Sequence, residues 1–421
     1  MIWPKKVKAG ALQFVLFIGT IIAVLLLSFV LVSYSHMLFK KKTNTTIALI
    51  QTTDQKFEHL FTTSSSQEAF KNPKNNTLGI RTNVQSSYWG LMELRKVTSK
   101  KGKLTFTKIA LMGNAEKEKP ALYLKDNQRP MVVAGDTKII GTSYLPEQGI
   151  KVGNIGGDGY TKPQLVYGKQ LRSRSKLPQL GQTVKNQLSR LAYPYFEPRG
   201  VEVKYKKGIV LKNSFMEETL TIKGHSLNLE ELELTGNITI WAARKITVHN
   251  SAKLQDVVLI APYIEIGDGV QGYFQAIASE HIKVGKSCHL DYPTVLAVKK
   301  RKVPDNERNH FVEPEIILGS RSSISGMLLY LDENKTKALK ANIKIEENAK
   351  VTGEVYCRQN LELKGSVHGS VITNFFITLE NGKIYQNHLF NGKIEASLLP
   401  QEYGGLCIEN KPANQVMKWL Y

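Results

Sequence analysis

The side chains best placed to do chemistry in this 421-residue chain are cations, and they cluster. Lys169, Arg172, Arg174 and Lys176 lie close together. Lys204, Lys206 and Lys207 come next, with Lys185, Arg190 and Arg199 between. Tyr167, Tyr193, Tyr195 and Phe196 interleave with them. Cations mixed with aromatic rings can track a single nucleic-acid strand. Next to a membrane the same set binds anionic lipid head groups. A solvated basic face is the plainer alternative. The seven residues named first are therefore candidate contacts for an anionic lipid or polymer, and nucleic acid is the less favoured partner.

Catalytic constellations are scarcer. Cleavage of a glycan needs two carboxylates opposed across the sugar. Asp256, Asp268 and Asp291, with His249, His281 and His289, supply the residue types. These aspartates fall in a stretch that repeats every 18 residues, but at different positions of the repeat, so they do not stack in one row. His289 and Asp291, two apart, can share a strand face, and the pair reads as a surface or corner contact. No HExxH segment or nucleophile elbow occurs. GNIGGDG (153–159) lacks the GK[ST] that lets a phosphate loop reach phosphate and magnesium, so it reads as a turn. Calcium-binding GGxGxD repeats are absent too. Cys288, Cys357 and Cys407 lack CxxC spacing, and their apolar neighbours suggest buried thiols. No catalytic, cofactor-binding or metal-ligating residue is assigned, and a non-enzyme is favoured.

The surrounding chain has two characters. Of 57 Lys and Arg against 36 Asp and Glu, residues 1–210 carry 33 against 12, whereas the second half is neutral. Apolar residues at 42 % and charged residues at 22 % exclude wholesale disorder. From Ala9 to Phe39 no charged residue interrupts 31 positions, and spanning a bilayer takes roughly 20. Large residues continue through Tyr34, Met37 and Phe39, which suits a retained single-pass anchor better than a cleaved signal. Three lysines flank the helix on each side, so the charge rule nearly ties. The reading leans to an extracytoplasmic C-terminal domain.

Beyond the anchor, Ile47, Ile50, Phe57, Leu60 and Phe61 recur at helical spacing. They fit either a continuation of the membrane helix or a second helix after a kink at KKKTNTT. SSSQEAFKNPKNNT (64–77) is a loop. YWGLMELRKV and KLTFTKIALMG flank a turn at Lys100–Gly102, which predicts a β-hairpin. PALYL, PMVVAG, TKIIGTSYL and GIKVG are further short strands. QLGQTVKNQLSRLAYP aligns Leu180, Val184, Leu188 and Leu191, predicting a helix near 180–192 that caps the open end of the C-terminal half.

The C-terminal half is repetitive. Segments starting at Ile246, Ile264 and Ile282 align without gaps at an interval of 18, and another 18 separates Ile343 from Leu361. Each block holds short apolar-alternating strands and Gly, Asn, Asp or Ser corners. One block cannot bury its apolar face alone, but stacked blocks can. An 18-residue period with such corners predicts a parallel β-helix over 208–397. That leaves room for about eight to ten coils, a rod on the order of 40–50 Å long. KKRKVPDNERNHFVEPE (299–315) and DENKTKALKAN (332–342) are polar excursions from it.

The unit Ile324-x-Gly326-x-Leu328 recurs as Val351-x-Gly353-x-Val355 and Val367-x-Gly369-x-Val371. Over 210–395 this pattern resembles bactofilins, bacterial cytoskeletal proteins with a β-helical core. The resemblance implies end-to-end self-association and membrane-associated scaffolding. The chain departs from that family in its membrane helix, its basic middle and its longer excursions. The leader KKVKAG followed by ALQFVLF is similar to prepilin-type segments, which implies processing after Gly10. Where that family has Glu, this chain has Val15.

The expected organisation is a basic leader (1–10), transmembrane helix (11–39), helical stalk (40–62), small basic β-rich domain (63–207), β-helix (208–397) and C-terminal cap (398–421). Such a mainly β chain reads as a membrane-anchored scaffold or assembly protein of a bacterial cell envelope, without cofactor. A pilin-like component, or a β-helix enzyme acting on an anionic glycan, is the alternative.

Overall fold

The structure, a computed structural model, describes residues 9–62, 79–116, 118–300, 314–332, 339–409 and 411–420. The leader before Ala9, the 64–77 loop and most of both polar excursions lie outside the described residues. The chain is mainly β with one long apolar helix, and it divides into two compact units.

The first unit holds most of helix α1 (Ala9–Thr62), residues 80–84 and residues 97–107. The helix is unbroken across KKKTNTT. No Gly or Pro interrupts it after Gly19. The threonines are accommodated because Thr45 and Thr46 donate their hydroxyls to the carbonyls of Lys41 and Lys42, at 2.8 and 3.0 Å. Apolar residues from Leu12 to Phe39 are exposed, and the helix is long and apolar enough to cross a membrane. Further on, the buried face is Leu49, Thr53 and Phe57, whereas Ile47 is exposed. Thr53 Oγ1 donates to Ser99 Oγ at 2.8 Å, and Ser99 also meets Thr82. The apolar spacing thus finds Phe57 and Leu60, both buried, and misplaces Ile47.

The second unit is built on a largely parallel sheet that closes on itself. Ile246, Ile264, Ile282, Ile316, Ile343 and Leu361 are register partners in succession, all fully buried. The interval of 18 seen in the sequence is therefore a pairing register. The two excursions lengthen it without disturbing the pairing of Ile282 with Ile316 or of Ile316 with Ile343. A second buried row runs Leu259, Ala276, Leu296, Leu328, Val355 and Val371. Gly326, Gly353 and Gly369 stack in register with φ of 148°, 145° and 150°. A Cβ on any of them would lie 1.9–2.0 Å from the carbonyl oxygen of the rung beneath. Backbone conformation and close approach both demand glycine there, which explains the recurring I-x-G-x-V unit.

The sheet does not stop at residue 207. Leu122 pairs with Val371 and Ile139 with Ile394, both in parallel, while Leu389 pairs in parallel with Val133 in a separate three-stranded sheet. Ser143–Leu145 then pairs beside Leu122–Leu124, and Gln170–Arg172 beside Ser143–Leu145. Short strands from the basic middle thus extend the same sheet as the repeat. Gln170–Arg172 and Val201–Glu202 are exposed along their whole length.

Helix α2 (Gln182–Leu191) buries Val184, Leu188 and Leu191. It does not cap an open end. Leu188 and Leu191 join Trp89, Leu91, Met417 and Leu420 in an apolar layer over Val258, Ile260, Ile277, Val295 and Leu329. In that part of the sheet both faces are covered, so its strands read as unbroken apolar runs such as VVLIA and TVLAV.

Candidate anion-binding cleft

Tyr123 and Tyr144 are register partners on neighbouring strands, and their rings stack at 5.2 Å. The Tyr123 hydroxyl accepts the Arg174 backbone N–H at 3.0 Å, and the Asp126 N–H donates to the Arg174 carbonyl at 3.0 Å. Ser173 N–H bonds Leu145 O at 2.7 Å. The segment after strand Gln170–Arg172 is thus tied down by its backbone, which leaves its basic side chains exposed. Lys169, Arg172, Arg174 and Lys176 all line one cleft of about 630 Å³.

At the base of the cleft Lys119 Nζ meets Glu354 Oε1 at 2.5 Å, and both side chains are buried. Glu354 Oε2 accepts the Leu406 N–H at 2.6 Å, and Lys119 Nζ lies 5.0 Å from the Tyr403 ring centroid. A buried pair is tolerated when its remaining polar atoms are satisfied. Across the cleft Lys411 pairs with Glu116 at 2.6 Å, and Glu118 and Glu409 also line it. Arg172 is paired with Glu147. Among the described residues Lys169, Arg174 and Lys176 have no carboxylate within ion-pair distance. The cleft therefore has a cationic wall of three unpartnered side chains facing a mixed one. The acidic residues of that wall escape sequence reading, because none of them is near residue 170 in the chain.

Lys204, Lys206 and Lys207 are not part of this cleft. They are exposed between Val201–Glu202 and Val210–Asn213. Lys207 Nζ lies 3.2 and 3.3 Å from Glu230 and Glu231, which hold its pKa above the ordinary lysine value.

The aspartates considered for catalysis are scattered. Asp256, at φ +53°, is buried against Lys418 Nζ at 2.6 and 2.8 Å, and burial raises its pKa. Asp268 accepts the Lys286 backbone N–H at 2.7 Å, a corner contact. His289 bridges Asp291 and Ser323, at 3.1 and 2.6 Å, because His289 and Ser323 are register partners. Both His289 and Asp291 are more than half exposed. That row does not line the cleft around Lys169. The described residues contain no group of three His, Cys, Asp or Glu side chains able to hold a metal. The three cysteines are free, and burial pushes Cys357 and Cys407 up to about 12.

Comparison with known protein families, with characterised proteins and with solved structures gives no match.

Proposed function

We propose that this chain is a non-enzymatic, membrane-anchored scaffold protein of a bacterial cell envelope. In this reading the parallel sheet is a β-helix that presents a cationic wall to an anionic lipid head group or polymer. Helix α1 is its anchor, and the bulk of the chain lies outside the cytoplasm. The β-helix reading is supported by the regular interval of 18 and by register shifts between Trp241 and Lys245 and between Ala261 and Tyr263, which fall where a coil would turn a corner. A likeness to bactofilins would then extend to the core fold. Self-association through the ends of the β-helix is part of the same proposal.

The observation that carries the reading is the convergence of Lys169, Arg174 and Lys176, unpartnered, on one wall of a cleft whose backbone is pinned. Unpaired exposed cations held on a rigid support bind anions through charge, and salt weakens them. The full chain in zwitterionic nanodiscs should bind inorganic polyphosphate with an affinity that falls as salt rises. Including anionic lipid in the disc should compete if the head group is the ligand. Absence of polyphosphate binding at low salt, with no change of affinity for anionic discs, would remove the reading.

A further inference from the structure

A second cleft, of about 830 Å³, lies beside the turn Trp89–Gly90–Leu91. Gln275, itself buried, fixes that turn: its Oε1 accepts the Leu91 N–H at 2.8 Å and its Nε2 donates to Trp89 O at 3.0 Å. Gly90 has φ +59°, and a Cβ there would lie 2.3 Å from the Gln275 amide oxygen. The Trp89 ring is thereby held edge to face against Phe215 at 5.2 Å. Trp89 is only 8 % exposed, and its indole N–H is buried without an acceptor. A buried donor without an acceptor costs about 1–3 kcal/mol, so the position of this ring is fixed by its packing and not by hydrogen bonding.

The segment after α2 supplies the opposite character. Tyr195 is 81 % and Tyr193 58 % exposed, and their rings meet at 5.7 Å and 66°. Phe196 N–H bonds Tyr193 O at 2.9 Å, so the rings sit on a closed turn. The Arg190 guanidinium lies 6.0 Å from the Phe196 ring centroid, and Arg199 has no ion-pair partner among the described residues. Glu197 is engaged by Lys223 at 3.4 Å, which leaves the arginines as the uncompensated charge. Thr219 and Thr239 add hydroxyls.

We propose that this cleft binds an acidic oligosaccharide. A sugar ring lays its C–H face on Tyr195, and its acid group meets Arg199. A single-stranded nucleic acid fits less well, because bases stack on successive open ring faces. Here the two exposed rings are inclined at 66° to each other and offer no parallel pair of faces. The proposal does not rest on the cationic cleft around Lys169.

The test is calorimetric titration of the full chain, in zwitterionic nanodiscs, with oligogalacturonate and hyaluronan oligosaccharides. Cello-oligosaccharide serves as the neutral probe and oligothymidylate as the rival. At least one acidic oligosaccharide should bind, and Tyr195→Ala should weaken it about tenfold. Arg199→Gln should erase the preference for acidic over neutral sugar. Tyr195→Ala should leave polyphosphate binding at the cleft around Lys169 unchanged, so the two clefts fail separately. No saccharide binding at millimolar concentration would overturn the proposal. So would unchanged affinity in Tyr195→Ala, or tight oligothymidylate binding that Tyr195→Ala abolishes.

Discussion

Two columns of the same sheet obey the same register yet meet different surroundings. In one, Ile264–Ile266, Ile282–Val284 and Ile343–Ile345 alternate buried isoleucine or valine with outward Glu265, Lys283 and Lys344. In the other, Val257–Ala261, Val295–Val298 and Met327–Leu331 are buried on both faces. The inner faces do the same job, filling the space between the rungs. The outer faces differ because α2, the strand Met92–Lys101 and the last strand Gln415–Leu420 bring Leu188, Leu191, Met92, Met417 and Leu420 over the second column. Alternation in a strand therefore reports what lies outside the sheet, while the interval of 18 reports what lies along it.

The sharpest way to break that comparison is to place a charge on the outer face of each column. Leu329→Asp puts a carboxylate under the covering layer and should cost more than about 3 kcal/mol. Lys283→Glu, a carboxylate on the exposed outer face of the open column, should cost no more than about 1 kcal/mol. Urea unfolding of the full chain in detergent reads both, and equal costs would deny that the two outer faces differ.

Glu354 sharpens the same point, because it is an outward-facing charge inside the covered column. Its tolerance rests on Lys119 and the Leu406 N–H. Glu354→Ala strands a buried ammonium and should cost about 3 kcal/mol by the same measurement. Asp136 is the open-surface counterpart. Lys162 and Lys393 donate to it at 2.7 and 2.8 Å and hold its carboxyl at about 2, below its ordinary 3.8. A depressed carboxylate stabilises the fold above the unfolded value and loses that contribution as pH falls through the folded one. Asp136→Asn should therefore flatten a shallow loss of stability between pH 3.8 and 2. Its exposure keeps the effect at about 0.5 kcal/mol or less. An unchanged acid limb in the variant would mean that these contacts do not bias folding.

Much of the sheet was legible in the sequence because its determinants are local and periodic. Ile246, Ile264 and Ile282 announce their own register, and Gly326, Gly353 and Gly369 mark a position where only glycine fits. The extension by residues 122–172 was not legible. Its strands Leu122–Leu124, Lys138–Ile140 and Ser143–Leu145 are three residues each, too short to display a period. Their partners, such as Val371 and Ile394, lie hundreds of positions away. The cleft was half legible. Lys169, Arg172, Arg174 and Lys176 stand out as a cluster, whereas Glu116, Glu354, Glu409 and Lys411 join them only through the fold. Lys204, Lys206 and Lys207 are a similar basic cluster but do not line that cleft.

That last contrast supplies the most direct test of the proposed anion-binding role. Polyphosphate affinity would be measured for the full chain in zwitterionic nanodiscs after charge reversal to Glu at Lys169, Arg174 and Lys176, and separately at Lys204, Lys206 and Lys207. Both variants change the net charge equally, so any long-range field effect is the same. The cleft reading predicts at least about a tenfold loss for the first set and little change for the second. Equal losses in the two would contradict it and leave only a diffuse basic surface.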